Sequence, residues 1–241
     1  MLSEDETSII TFIESNLLGN NREEARLYHY SVVRKLWAVR FWFQNVEMLI
    51  QPDLILSTQN ITASGDAGLS SNYQTDSEST ITKISSYIDA FFMSGKSTLD
   101  TFAHEVRNLY GFGGHSGDLY FENALDLLAQ LHSNSELNNY LSSTNIRNLQ
   151  WYQELKAYRH ASTHESIIAI QPSVEMDFFT GKWKPIILKL PLDPAQKPLQ
   201  YNGKNFIETG KLIRDGLQKL LIQSYSKVII DIRSNRTAII P

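Results

Sequence analysis

The chain predicts a mainly all-α fold: a bundle of long helices, with a small antiparallel β hairpin or sheet inserted before the last helix. Three observations carry this. Apolar residues recur at alternating steps of three and four along most of the chain, the period of an amphipathic helix. Hydrophobic side chains make up 42% of the 241 residues and aromatic ones 11%, enough for a substantial core without covalent staples. β-rich sequence is concentrated between residues 166 and 190. With no cysteine present, disulfides, iron–sulfur clusters and thiolate zinc sites are excluded.

The elements follow in order. Residues 5–18 place Ile9, Phe12, Ile13 and Leu17 at helical spacing, and Gly19-Asn20-Asn21 ends that pattern. A long helix is expected from Arg22 to Ile50, with the stripe Val32, Leu36, Val39, Phe43, Val46, Ile50 facing a core and Pro52 stopping it. Trp37, Phe41 and Trp42 widen the apolar surface beyond one stripe, which fits a helix central to the bundle or one at a subunit interface. Residues 57–80, rich in Ser, Thr, Asn, Gln and Gly, read as a polar surface loop or mobile segment, with Asp76 and Ser79 as caps for the next helix.

Ile81, Ile84, Ile88, Phe91, Leu99, Phe102, Val106 and Leu109 then trace one face of a single long helix, with Gly95 its weak point. Ser97, Asp100 and His104 share a polar face of it, and Glu105 lies beside them. Gly111-Phe112-Gly113-Gly114-His115-Ser116-Gly117 breaks the helix. It lacks the Gly-Lys-Ser/Thr ending and the preceding strand of a phosphate loop, so it reads as a flexible turn. Short helices are expected at 119–132 and Ser135–Leu141, and Asn145 is read as the cap of a helix running through Trp151, Leu155 and Tyr158. Ser166–Gln171, Val174–Phe179 and Trp183–Leu190 are β-rich, with a turn at Thr180-Gly181-Lys182. Pro191, Pro194 and Pro198 mark a loop. A last helix from about Asn205 to Ile232 puts Phe206, Ile213, Leu217, Leu220 and Val228 inward and a basic face outward. With no repeat and no composition break, residues 1–241 read as one domain: amino-terminal helices and polar loop over 1–75, and a core over 80–232 carrying the β insertion at 166–190.

Charge is unevenly spread: 11 Lys/Arg against 22 Asp/Glu over residues 1–181, and 11 against 4 over 182–241. Such asymmetry suits a phosphate-facing or self-association surface, and equally a solvated helix face. The acidic start, Met1 to Glu6, lacks the features of a secretory signal, and no apolar run approaches the ~20 residues of a membrane span. A cytoplasmic chain with no membrane partner is expected.

Chemistry-bearing residues concentrate in Lys156-Ala157-Tyr158-Arg159-His160-Ala161-Ser162-Thr163-His164-Glu165, at the end of a helical pattern. Arg159 and His164 stand as Arg-x4-His with a polar residue directly after the arginine. This pattern, in its helical setting, resembles the signature of HEPN domains, the helical nucleotide-binding and ribonuclease superfamily of toxins and defence systems. The resemblance covers roughly residues 80–232, and the polar face of Ser97, Asp100, His104 and Glu105 on the preceding long helix belongs to it. It implies a HEPN-like bundle acting as a metal-independent endoribonuclease, in a defence or toxin–antitoxin setting, with no cofactor. It further implies a homodimer with a composite site, RNA or a nucleotide as ligand, and an antitoxin protein as a further partner.

On that resemblance Arg159 and His164 are catalytic, while His160, Asp100, His104, Glu105 and Tyr158 support the site or the substrate. Imidazole titrates near ~6.5 and can take a proton from a ribose 2′-hydroxyl, while a guanidinium fork suits the charge of a phosphorane. The alternative implied activity is a non-catalytic module binding nucleotide, RNA or protein. Readings of a structural kind stand beside these. Arg159 could pair with Glu154 or Glu165, and His164 could face the helix dipole. His160 and His164 at i, i+4 could grip a metal with Glu165 or His104. Tyr158 and Trp151 could stack on a base or lie buried. On a straight helix, positions 159 and 164 lie about 140° apart, so the two side chains converge only at a helix end or distortion.

Overall fold

The computed structural model describes residues 23–50, 59–64, 68–73, 75–112, 119–164, 168, 170–173, 176, 177, 179, 180, 182, 183, 186–191, 203–234 and 237. For 23–25, 59–64, 68–73, 75–79, 164, 171–173, 176, 177, 182 and 183 the description is of the backbone alone. The expected helix at 5–18, most of the glycine cluster, and Pro194 and Pro198 lie outside these residues. Among the described residues the fold is mainly α, with six helices: α1 (Glu23–Leu49), α2 (Thr75–Tyr110), α3 (Phe121–Leu131), α4 (Glu136–Thr144), α5 (Gln150–His164) and α6 (Phe206–Arg233). No helix there is long and apolar enough to cross a membrane.

The strands are short. β1 (Gln59–Ser64) pairs antiparallel with β2 (Gly68–Tyr73). β3 (Gln171–Ser173), β6 (Ile187–Leu190) and β7 (Lys204–Asn205) form an antiparallel sheet in the order β3-β6-β7, and β4 (Met176–Asp177) pairs with β5 (Lys182–Trp183). The expected β insertion before the last helix is therefore present, and the 180–182 turn does join paired strands. Pro172, which has no N–H to give, sits in an edge strand, where a missing donor costs least.

Three expectations need correction. Residues 57–80 are not a loop: they hold β1, β2 and the first turns of α2. A two-stranded ladder satisfies backbone groups strand to strand, so polar Ser, Thr and Asn residues can occupy it without an apolar face. Asp76 and Ser79 accordingly lie inside α2 rather than capping it. Asn145 ends α4 instead of starting α5: it adopts the left-handed conformation (φ 48°) that asparagine tolerates better than most residues.

The molecule's packing gathers into two compact units: residues 1–37, 94–153 and 213–241, and residues 38–93 and 154–212. Their divisions fall inside α1, α2, α5 and α6, so no loop or composition shift marks them in the chain.

In the first unit, the later half of α2 buries Leu99, Phe102, Val106 and Leu109. The helix stops at Gly111, whose φ of 68° and N–H bond to the Arg107 carbonyl (2.8 Å) make the glycine C-terminal turn. The orphan N–H groups of the short helices are met by side chains distant in sequence. The Phe121 N–H donates to Asp100 Oδ1 (3.1 Å), because Tyr120 offers α3 no cap of its own. At α4, Ser135 Oγ accepts from the Asn138 N–H (3.0 Å), while the buried Asp231 carboxylate accepts from the Glu136 and Leu137 N–H groups (2.8 and 3.0 Å). The Tyr110 hydroxyl donates to the same carboxylate (2.7 Å), and burial first, then Asp231, raises its pKa.

The second unit is cemented by rings. Phe43, Phe91, Phe92 and Phe206 meet at centroid distances of 5.2–6.3 Å, and Tyr158 stacks on Phe92 at 4.9 Å. Gly210 lets α6 come close: a Cβ there would lie 2.6 Å from the Phe43 ring. Leu188 and Leu190 of β6 are buried with Ile186, alternating with half-buried residues as a one-sided strand requires. Asn205 Oδ1 accepts the Ile207 N–H (2.9 Å) and so starts α6. The outward face of α6 is of mixed sign rather than basic, since Glu208 and Asp215 are exposed together with Lys211, Lys219 and Arg233.

Candidate functional site

α5 is where the Arg-x4-His segment lands. Its inward side is set by Leu155, Tyr158 and Ala161, all buried. Lys156, His160 and Thr163 point outward and Arg159 is half-buried on the flank. The acid of this helix, Glu154, is buried and accepts from Lys204 Nζ at 2.6 Å. The outward charged groups of α5 are thus Lys156 and Arg159, with the His160 imidazole beside them. Among the described residues the Arg159 guanidinium makes no hydrogen bond or ion pair; its carbonyl accepts from the Thr163 hydroxyl (2.8 Å). Glu154 is not its partner, and Glu165 lies outside the described residues.

His164 is the last residue of α5, and its side chain is likewise outside the description. The backbone is helical through both positions, so 159 and 164 stay about 140° apart around one helix axis. Tyr158 corrects an expectation. It is fully buried, its hydroxyl donates to the Pro191 carbonyl (2.7 Å), and burial followed by Glu154 raises its pKa. Its ring is committed to Phe92 and is closed to a base.

The second set, Asp100, His104 and Glu105, belongs to the first unit and is used internally. Asp100 accepts from Lys96 Nζ (2.6 Å) as well as capping α3. His104 stacks on Tyr28 at 5.4 Å and 10°. Glu105 is fully buried. Its carboxylate accepts from the Tyr225 hydroxyl (2.7 Å) and meets His29 Nδ1 (3.0 Å), while the imidazole lies edge-on to Tyr225. Burial first, then Glu105, drives the Tyr225 pKa well up. Ser97 Oγ accepts from Lys35 Nζ (2.7 Å), which Thr101 shares; burial lowers the Lys35 pKa, against the pull of Asp100. A polar face of α2 was expected to line an open cleft. It lies instead against α1, α3 and α6, because a long helix packed on several sides must find partners for its polar face too.

His29, Tyr225 and Asp231 are buried polar residues that sequence reasoning left unassigned. His29 had a signal: it precedes Val32 by three residues and so continues the inward stripe of α1. Asp231 had none, as its partners are a backbone turn about 95 residues away. A cleft of about 170 Å³ also opens in the first unit, lined by Asp126, Asn138, Ser142, Asn145 and Arg147 among others. Arg147 there already donates to Asp126 (2.7 Å) and to the Glu122 carbonyl (2.9 Å), and none of the expected site residues lines it. No group of three or more His, Asp or Glu able to hold a metal occurs among the described residues.

Fold and site together define a mainly α-helical bundle protein with an arginine- and histidine-bearing helix end. No protein-family model matches the chain, and no curated protein or solved structure matches it.

Proposed function

We propose that the protein is a HEPN-like, metal-independent endoribonuclease whose site is composite, assembled from the α5 ends of two copies. The observation that carries this reading is Arg159. It is a half-exposed guanidinium with no internal partner among the described residues, one turn from the end of a helix whose outward charged groups carry no acid. An arginine so left is a ready ligand for a phosphodiester. His164 of one copy takes the 2′-hydroxyl proton, and the alkoxide attacks the adjacent phosphorus. The 5′-oxygen leaves with a proton from the second copy's His164, giving a 2′,3′-cyclic phosphate and a 5′-hydroxyl. Arg159 offsets the charge gathering on the phosphorane oxygens. Using two copies also answers the ~140° between positions 159 and 164 on one helix. A toxin or defence role, with an antitoxin protein as partner, follows from the same resemblance.

A second reading is a non-catalytic module that binds RNA, a nucleotide or a protein across the same face. The internal engagement of Asp100 and Glu105 favours it, since it removes two acids from the expected cleft. RNA cleavage in EDTA separates the two. The nuclease reading expects cyclic phosphate ends from the wild type and a loss of about 10²–10⁴-fold in His164→Ala, with Arg159→Ala impaired as well. Binding without cleavage, weakened by Arg159→Ala, selects the module. Neither cleavage nor binding overturns both.

A further inference from the structure

α1 has two apolar faces, and one of them is inside. Val32, Val39, Phe43 and Val46 are buried. On the opposite side, Leu27, Tyr30, Arg34, Trp37, Phe41, Gln44 and Met48 follow one another at steps of three and four, and all seven are exposed. In the first unit Leu27 is 61% exposed and Trp37 58%; in the second, Met48 is 57% exposed. Five apolar side chains in strict a/d spacing over six turns is the pattern of a coiled-coil seam. The buried stripe already accounts for α1 within its own chain. The second seam is surplus to the core.

We infer that this face is an interface between two copies of the chain, with the two α1 helices packed antiparallel about a twofold axis. Area and charge both support a second copy. With large side chains offering 150–250 Å² each, these exposed fractions leave on the order of 500 Å² of apolar surface per copy. That is well over half of the ~800 Å² each partner contributes to a standard interface, before flanking stems are counted. It also sits at the upper end of the ~300–600 Å² patches that monomers carry.

Charge selects the orientation. In a parallel pair Arg34 would lie abreast of Arg34 in the second copy, two like charges in the seam. In an antiparallel pair it faces Trp37 instead, a cation over an indole. The residues flanking the seam on one edge include Arg26 near its start and Glu47 near its end, both half-exposed. Antiparallel packing sets that edge against itself, so Arg26 of each copy lies across from Glu47 of the other, and the symmetry makes the pair twice. The self-complementarity of that edge points to this chain itself as the occupant.

The inference does not depend on the ribonuclease reading: Arg159→Ala should leave the oligomeric state untouched. Molar mass by light scattering, across concentrations up to about 100 µM, reads the dimer directly, since interfaces of this size reach µM affinity or better. The wild type should be dimeric. Trp37→Glu should be monomeric, with an unchanged helical circular-dichroism spectrum. If that variant fails to fold, the edge charges decide. Arg26→Glu and Glu47→Arg should each weaken the dimer by about tenfold or more in Kd, and the double exchange should restore it. A wild type that stays monomeric overturns the inference, as does a dimer indifferent to the edge charges. A monomer that acquires mass only with a different protein overturns it too.

Discussion

The two compact units are built from parts of the same four helices, yet they solve burial differently. In the first, the interior is threaded with polar groups that each need a particular partner: Glu105 with Tyr225 and His29, Asp231 with Tyr110 and the start of α4, Asp100 with Lys96 and the start of α3. In the second, Phe43, Phe91, Phe92 and Phe206 fill the interior, while Lys156, Arg159 and His160 remain at the surface of α5. Charged residues that look alike in the chain therefore carry different meanings. A carboxylate inside a network is bound to its partners and unavailable for chemistry. A guanidinium outside one is available for a ligand.

The sharpest test of that contrast is to remove one interior group from each unit. Phe91→Ala should cost about 3–5 kcal/mol in urea unfolding, the usual loss for a buried phenyl ring. A loss under about 1 kcal/mol would mean that the aromatic cluster does not hold the second unit together. In the first unit, Glu105→Ala strands the Tyr225 hydroxyl and the His29 N–H in a dry interior, at about 1–3 kcal/mol each. The expected total is about 3 kcal/mol or more, with Glu105→Gln recovering part of it by retaining one acceptor oxygen. Equal stabilities for Ala and Gln would show that volume, not hydrogen bonding, matters there.

Two smaller effects follow. Gly216 lies where an added Cβ would come within 2.5 Å of the Trp151 indole. Gly216→Ala should therefore destabilise by about 1–3 kcal/mol through overpacking, despite the ~1 kcal/mol that alanine gains over glycine in a helix. A stabilised variant would mean the indole shifts freely. Least in size is a pH effect in the second unit. Burial raises the Asp89 pKa, opposed by hydrogen bonds from the Ile168 N–H and the Ser162 side chain. The folded chain holds that proton more tightly than the unfolded chain, so its contribution to stability is complete below about pH 4 and declines as pH rises through the folded pKa. Asp89→Asn should flatten the stability profile above about pH 4 and leave it unchanged below; an identical slope in both proteins would remove Asp89 as its origin.

Helix periodicity was legible because it is a local property. The stripes Val32–Phe43 on α1 and Ile84–Leu109 on α2 recur wherever one face of a helix must leave water, and the Gly111 stop needs only one residue's φ. The β insertion was legible for the same reason. The sequence by itself thus determined the fold class, most element positions, and the concentration of arginine and histidine at the end of α5. Tertiary structure alone decided which polar residues were internal, because a buried carboxylate is defined by donors elsewhere in the chain: Glu105 by Tyr225, Asp231 by a backbone turn about 95 residues away. It also decided which of the two apolar faces of α1 entered the core. Periodicity marks a face as apolar, but only the packed neighbours settle whether that face is used.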